Sequence, residues 1–554
     1  MDSKQHVDLV ELYRDFDARC ATSLDFITSA REYELELYVP SIDTRDKAQR
    51  ELESLMSENH GLEAPDPVFQ LLKDHFDEFI KGQISSLKRM FDAPSSFVSR
   101  LSSSIDYYSR KDSRNSVERA KILLSRLGRA DEMWAGVQRL LPETPIDEVS
   151  QLEEVCDTLA VVAEKMAPRV PQLYSGLTEN TIAQLQFNLE QVSNKARTWA
   201  AEVREFVDEN RYRLEGRRQE IESGEDPIEA YRRLLLDQFG VELDEILKWH
   251  EEEIEKTRSD MLEIANKIDV LGVPKANSPK DVVDILNQFQ GPCDTPDEMF
   301  VRMRQYLDRA QEAARKYVKL PKESVVVVPT PDTLVKHYPW GGYGGGCPRR
   351  RPLQGETFLN VQNYKAITDG WIKMNAIHEC YPGHHVQWVR SVLDPLPETV
   401  KIGARGVPNS EGSAHRSEKL MEFVYEEDPF YPLFVAYRRH HTAVRIKADL
   451  WLRYFGRSFD EVVDLYVEEL AFERKVAEGQ VLAQKLMAGY FTCYYYGMKK
   501  LLDLESEFGY DEKNFTEVIF SLPRVSLRTL ENFLKMSDED KNRFLNEFPS
   551  KVTL

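Results

Sequence analysis

Residues Glu245–Ile268 read EILKWHEEEIEKTRSDMLEIANKI, and their pattern is that of an amphipathic helix. Met261, Ala265 and Ile268 recur at spacings of four and three, between charged faces. The run Glu251–Glu252–Glu253 then reads as a solvated face of the same helix. Working towards the N-terminus, the same periodicity returns in VDLVELYRDFDARC (Val7–Cys20), and most of the chain up to Pro321 repeats it. Breaks fall where proline or glycine interrupts it: Gly61–Pro67, Pro142–Pro145, Gly224–Pro227 and Gly272–Pro279. Working towards the C-terminus, the composition changes after residue 321. KESVVVVPTP (Lys322–Pro331) is a β-branched run ending in prolines, as an edge strand would. A loop with five glycines between Gly341 and Gly346 follows, and GETFLNVQNY (Gly355–Tyr364) reads as a second short strand. From Ile367 onwards helical periodicity resumes. The expectation is a mainly α protein with a small β element, made of a helical N-terminal region (1–320) that packs on or caps a cleft, and a site-bearing region (321–554).

The chain has 554 residues, 73 basic against 94 acidic, for a formal charge of −21. Nucleic-acid readers carry a basic footprint, and anionic membrane surfaces attract polybasic segments, so neither is expected as a partner. Six dispersed cysteines without a CxxC pair read as free thiols in a reducing compartment. MDSKQHVDLVELYRDF has no charged segment followed by an apolar run, and the strongly apolar run Val325–Val328 is far too short to span a membrane. A cytoplasmic location is the expectation. The glycine loop lacks the Gly-Lys-Ser/Thr ending of a phosphate cradle.

Histidine is concentrated: six of the 11 lie between 378 and 441. Within that window NAIHECYPGHHVQW (Asn375–Trp388) places Glu379 next to His378 and adds His384 and His385. Zinc takes imidazole nitrogens and carboxylate oxygens, and a carboxylate beside the first ligand can take the proton of a bound water. The helical HExxH pattern, with ligands at i and i+4, is not met, because Pro382 occupies that place. On a straight helix His384 and His385 would lie about 9 to 10.5 Å along the axis from His378. Proline forces a kink or bulge, and if Pro-Gly is looped out His384 returns to the i+4 place. His384 is therefore favoured over His385 as the second ligand. VPNSEGSAHRSEKLMEF (Val407–Phe423) offers Glu411 as the third, with Glu418 two turns on as a carboxylate to orient an imidazole.

These residues resemble the domain of unknown function 885 family, whose members carry HExYPGHHxQ, EGWAxYxE and a later PGQAxSYKIG-like stretch. HECYPGHHVQ (His378–Gln387) matches the first motif, and EGSAHRSE (Glu411–Glu418) the second, with Ser413 and Arg416 in place of tryptophan and tyrosine. AVRIKADLWLRYFGRS is similar to a further motif in Arg445, Asp449 and Gly456, with Arg453 where the family has histidine. AGYFTCYYYG shares Gly489, Tyr494 and Gly497, and Gln480 and Ala483 replace a Glu and an Arg. The family looks related to zinc metallopeptidases whose third ligand is glutamate, with a zincin-like helical fold. The resemblance implies Zn2+, or another divalent metal, on His378, His384 and Glu411, with Glu379 as general base. It makes Tyr494 a candidate oxyanion donor and Arg453 a candidate anchor for a substrate carboxylate or transition-state donor. His385, Glu418, Arg445 and His441 are candidates for the surrounding shell or for substrate contact.

The function so implied is hydrolysis of a peptide or amide bond by metal-activated water, with Thr357–Val361 as an edge that could pair with an extended substrate. Two alternatives stand beside it. The departures at Ser413, Arg416, Arg453, Gln480 and Ala483 would suit a divergent hydrolase of a small amide or amino-acid-derived metabolite, if they line the cleft. A non-catalytic helical interaction protein with a relic site would hold no metal.

Overall fold

The computed structural model describes residues 3–553 apart from 224–225, 333 and 336–337; the side chains of residues 3 and 216–223 also fall outside the described set. The break read at Gly224–Pro227 therefore lies partly outside it, and Pro227 opens the helix Pro227–Leu234 behind an Asp226 cap. Chain punctuation is local and chemical. Asp66, Ser278 and Thr295 each accept from backbone N–H groups of the helix they precede, with proline as the next residue in all three.

The protein is mainly helical. In the helix Leu243–Lys267, Leu243, Ile246, His250, Ile254, Thr257, Met261 and Ala265 are buried, which is the stripe its sequence announces. That stripe faces the helix Tyr431–Arg453, and Thr257 and His440 meet at 3.0 Å across the contact. The longest helix, Glu179–Ser223, packs on Ile146–Met166. One hydrophobic core runs through the described residues from Tyr13 and Phe16 to Phe544 and Phe548, and it is continuous across residues 320 and 321. No helix is long and apolar enough to cross a membrane among the described residues. All six cysteines are buried and free.

The β element is a three-stranded sheet of β1 (Glu323–Pro329), β2 (Gly341–Gly344) and β3 (Leu353–Leu359), in the order β1–β3–β2. β1 runs parallel to β3 and β2 antiparallel to it. Two sequence expectations are corrected here. The glycine-rich loop contains a strand: a Cβ at Gly341 would lie 2.7 Å from the Phe358 carbonyl oxygen, so glycine lets β2 approach β3 that closely. Residues Thr357–Leu359 of the expected substrate-pairing edge lie in the central strand, hydrogen-bonded on both sides, and Val361–Ala366 form a 3-10 turn. That segment has no free ladder to offer a peptide.

Candidate metal centre

The helix Asp369–Asn375 widens into a π turn at Ala376–Cys380, which carries His378 and Glu379. Tyr381 is extended, as a residue before proline should be. Gly383 packs so tightly against the turn that a Cβ there would fall 2.0 Å from the His378 carbonyl oxygen. A new helix then starts at His384 and runs to Leu393. Pro382–Gly383 is thus not an insertion looped out of one continuous helix; it ends one helix and starts the next. The outcome at the side chains is the close approach the spacing required, with the His378 and His384 rings edge to face at 5.0 Å.

The third member comes from the helix Val407–Leu420. Its position is fixed by a glycine contact, since a Cβ on Gly412 would meet the backbone of Gly497 at 2.3 Å and one on Gly497 would meet the Pro408 carbonyl oxygen at 1.8 Å. The helix Cys493–Glu507 therefore lies directly against the one that carries Glu411. Glu411 Oε2 stands 3.4 Å from both His378 Nε2 and His384 Nε2. It has no hydrogen-bond partner, and one ligand atom from each of the three residues lies within 4.8 Å of the other two. For zinc with ligands at about 2.0–2.1 Å, the edge of the coordination tetrahedron is about 3.3 Å. A direct ionic hydrogen bond would be shorter, at about 2.7–2.9 Å. Both carboxylate–imidazole spacings match that edge, so the three donors could hold a shared cation.

Each donor is held from behind. His378 Nδ1–H donates to Glu418 Oε1 at 2.8 Å, and His384 Nδ1–H to Gln387 Oε1 at 2.9 Å, which leaves both Nε2 atoms turned inwards. Gln387 is itself fixed by Ser410, and the Tyr490 hydroxyl donates to Glu411 Oε1 at 2.7 Å. Glu418 is fully buried, 3.0 Å from His415 Nδ1 and 3.6 Å from an Arg438 nitrogen. Burial opposes its charge, but His415, Arg438 and His378 outweigh burial and hold it well below the usual carboxylate range. Burial likewise opposes a charged His378, yet Glu411, Glu418 and Glu379 together push it up to about 10. Glu411 is driven down, against burial, by His384 and His378. Buried carboxylates thus surround the two imidazoles, an arrangement that could hold a cation.

Glu379, His384, Ser410, Tyr490 and Tyr494 are partly exposed, whereas His378, Gln387, Glu411 and Glu418 are buried. Tyr494 lies nearly parallel to the His378 ring, with centroids 6.2 Å apart, and burial keeps its hydroxyl protonated. His385 points elsewhere: Glu323 at the start of β1 holds its Nε2 at 2.5 Å and the Tyr343 hydroxyl meets its Nδ1 at 2.9 Å, tying the sheet to the turn. His441 sits edge-on to Trp340 and Trp371, and burial with Arg445 and Arg438 nearby lowers its pKa well below the usual range. Arg445 lies against the Phe491 and Tyr494 rings. Arg453 is engaged otherwise: it donates to the Lys485 carbonyl at 2.6 Å, closing the helix Arg474–Leu486, and touches none of the three ligand residues. Arg416 forks onto Glu505 and Ser413 bonds back to Asn409, so these two departures serve helix packing rather than a cleft wall. Sequence reasoning passed over Gln387, Tyr490 and Glu323. Gln387 could have been found, three residues after His384 on the same helix face; Tyr490 reaches Glu411, and Glu323 reaches His385, only through the tertiary fold.

The sequence matches, over residues 39–533, the model of the family described as "Bacterial protein of unknown function (DUF885)". No curated protein matches it. Two solved structures share the fold. One, from Colwellia psychrerythraea and provisionally described as a lipoprotein, is 16% identical with a TM-score of 0.75, over 97% of this chain and 98% of that one. The other, from Shewanella oneidensis and provisionally described as a lipoprotein of unknown function, is 15% identical with a TM-score of 0.70, over 95% and 99% of the two chains.

Proposed function

This chain belongs to the DUF885 family, and from that premise we propose that it is a zinc-dependent hydrolase of peptide or amide bonds. The observation that carries the reading is the convergence of His378 Nε2, His384 Nε2 and the unbonded Glu411 Oε2, with both imidazole nitrogens at the spacing of a tetrahedral edge from the carboxylate oxygen and all three atoms within 4.8 Å. Two histidines on consecutive helical segments with a glutamate from a third also support a zincin-like arrangement of the glutamate-ligand kind. When bound, zinc supplies Lewis acidity towards a carbonyl and makes water a nucleophile near neutral pH.

The chain's own residues supply the rest. Glu379, beside the first ligand and partly open to solvent, accepts a proton from the attacking water as it adds to the amide carbon. The protonated Tyr494 hydroxyl donates to the carbonyl oxygen as that oxygen gains charge. Glu379 then returns the proton to the nitrogen, the C–N bond breaks, and a carboxylic acid and an amine leave. Buried Glu418 and Gln387 keep the imidazoles oriented throughout.

The test is elemental analysis joined to turnover. The purified chain should hold about one zinc, His378→Ala should lose it, and Glu379→Gln should keep it while hydrolysis of a peptide library falls by about 10²–10⁴-fold. A chain that takes up no zinc on reconstitution overturns the reading.

A further inference from the structure

Arg445 lies on the helix Tyr431–Arg453 and is only 5% exposed, yet no carboxylate meets it among the described residues. Its polar neighbours are neutral: it donates to Gln480 Oε1 at 3.1 Å and meets the Tyr466 hydroxyl, and its Nε has no partner. The rest of its surroundings are aromatic: the guanidinium carbon lies 4.8 Å from the Phe491 ring centre and 5.6 Å from that of Tyr494. Three other buried arginines of the C-terminal half meet carboxylates. Arg416 is forked by Glu505, Arg390 is met by Asp394 and Glu517, and Arg438 has Glu418 at 3.6 Å. A buried cation left without an anion is costly, and the cost is recovered when a ligand brings the anion.

Its place in the molecule says which ligand. Tyr494 adjoins both groups, its ring centre 5.6 Å from this guanidinium carbon and 6.2 Å from the centre of the His378 imidazole, and Tyr490, edge-on to Tyr494 at 5.8 Å, donates to Glu411. The guanidinium carbon and the imidazole centre are thus at most about 12 Å apart, and once an ionic contact at one end and a metal shell at the other are allowed for, one or two residues of extended chain at about 3.5 Å each fill the rest. Arg438 and His441 lie on the same helix face, seven and four positions before it, so Arg445 ends a row of basic residues, with His441 held neutral. A substrate carboxylate entering a cleft that already holds Glu379 and Glu411, on a chain of net charge −21, needs a dedicated cation. Arg453, the sequence-level candidate for that task, is occupied by a backbone carbonyl.

We infer that Arg445 is the anchor for a free carboxylate on the substrate, so that the hydrolase acts on short acylated amino acids or on peptide C-termini, one or two residues from the acid. This inference rests on the proposed metal site and deepens it.

The experiment uses two probes that differ in one group, N-(mercaptoacetyl)phenylalanine and its C-terminal amide, titrated calorimetrically into the zinc-loaded full chain. Their shared thiol addresses the metal. The acid should bind at least about thirtyfold more tightly than the amide, the scale of a desolvated charge pair. In Arg445→Gln that preference should collapse while amide binding is retained, which also shows that the variant folds. Equal affinities in the unsubstituted chain, or an undiminished preference in the variant, overturn the inference and leave the hydrolase standing. Failure of both probes to bind the zinc-loaded chain overturns the hydrolase reading and this inference with it.

Discussion

Glu418 and Glu379 both lie near His378, and the proposed function gives them opposite duties. Glu418 is buried and bonded to the outer nitrogen of the ring, whereas Glu379 is partly exposed and next to His378 in sequence. Removing the charge of an outer partner typically weakens metal binding by about 10–100-fold. Glu418→Gln should therefore lower zinc affinity by that factor in competition with a chromophoric chelator, while Glu379→Gln should leave it unchanged; equal affinities in the two variants would contradict the assignment. Asp449 offers a second reading at this scale. Burial raises its carboxyl from 3.8 to about 6, against the opposing pull of the Tyr231 hydroxyl, Arg453 and the Gly489 N–H. With the folded value the higher, the folded state holds this proton more tightly, so the contribution to stability is complete below pH 3.8 and is lost as pH rises through about 6. A shift of about two pH units corresponds to about 3 kcal/mol. Asp449→Asn, which cannot ionise, should gain in melting temperature relative to the unsubstituted chain as pH goes from 4 to 7. A difference independent of pH would show that Asp449 does not carry this linkage.

Elements place these residues by contacts that are partly legible and partly not. That a proline must break the helix after His378 follows from ring sterics, and it selects His384 over His385; which nitrogen faces inwards depends on Gln387 and Ser410 and needs the fold. Gly412 is visible in the sequence as a glycine beside a ligand, but its partner Gly497 lies 85 residues downstream, and no local pattern announces the pairing. The same limit hid β2, because a run of glycines has low strand propensity and becomes a strand only when β3 supplies the ladder. The glycine contact is testable. Gly412→Ala drives a methyl into the Gly497 backbone, so it should cost about 1–3 kcal/mol and also weaken zinc binding, because Glu411 rides on the same turn. Gly479→Ala, at an exposed helical site with nothing within 4 Å, should instead be neutral or stabilise by up to about 1 kcal/mol. Calorimetric melting with metal titration distinguishes the two, and equal effects would mean that the close crossing does not position Glu411.

At the scale of the whole molecule, the composition break after residue 321 suggests two parts, but the packing ties them together. Asp17, from the first helix, accepts from the Glu398 and Thr399 N–H groups and the Thr399 hydroxyl at 2.6–2.9 Å, and so caps a helix 381 residues downstream. Glu78 receives the Ser526 hydroxyl, Tyr495 reaches Glu253, and Tyr13 lies 6.4 Å from Phe548. Helical periodicity in the first 320 residues predicts that each helix has a buried face; it does not say that the face is completed by residues from the far end of the chain. A core shared in this way makes separate melting of the two parts unfavourable, because releasing either exposes apolar surface on the other. Heating should therefore give one transition in calorimetry. Asp17→Ala leaves two buried N–H groups unsatisfied, a loss of about 1–3 kcal/mol, and because the core is continuous this should move the whole transition down rather than split off a shoulder. Zinc, binding only the folded form, should move the same single transition up. Two resolved transitions, with only the second responding to zinc, would mean that the N-terminal helices form an independent body and that Asp17 acts across an interface rather than within a core.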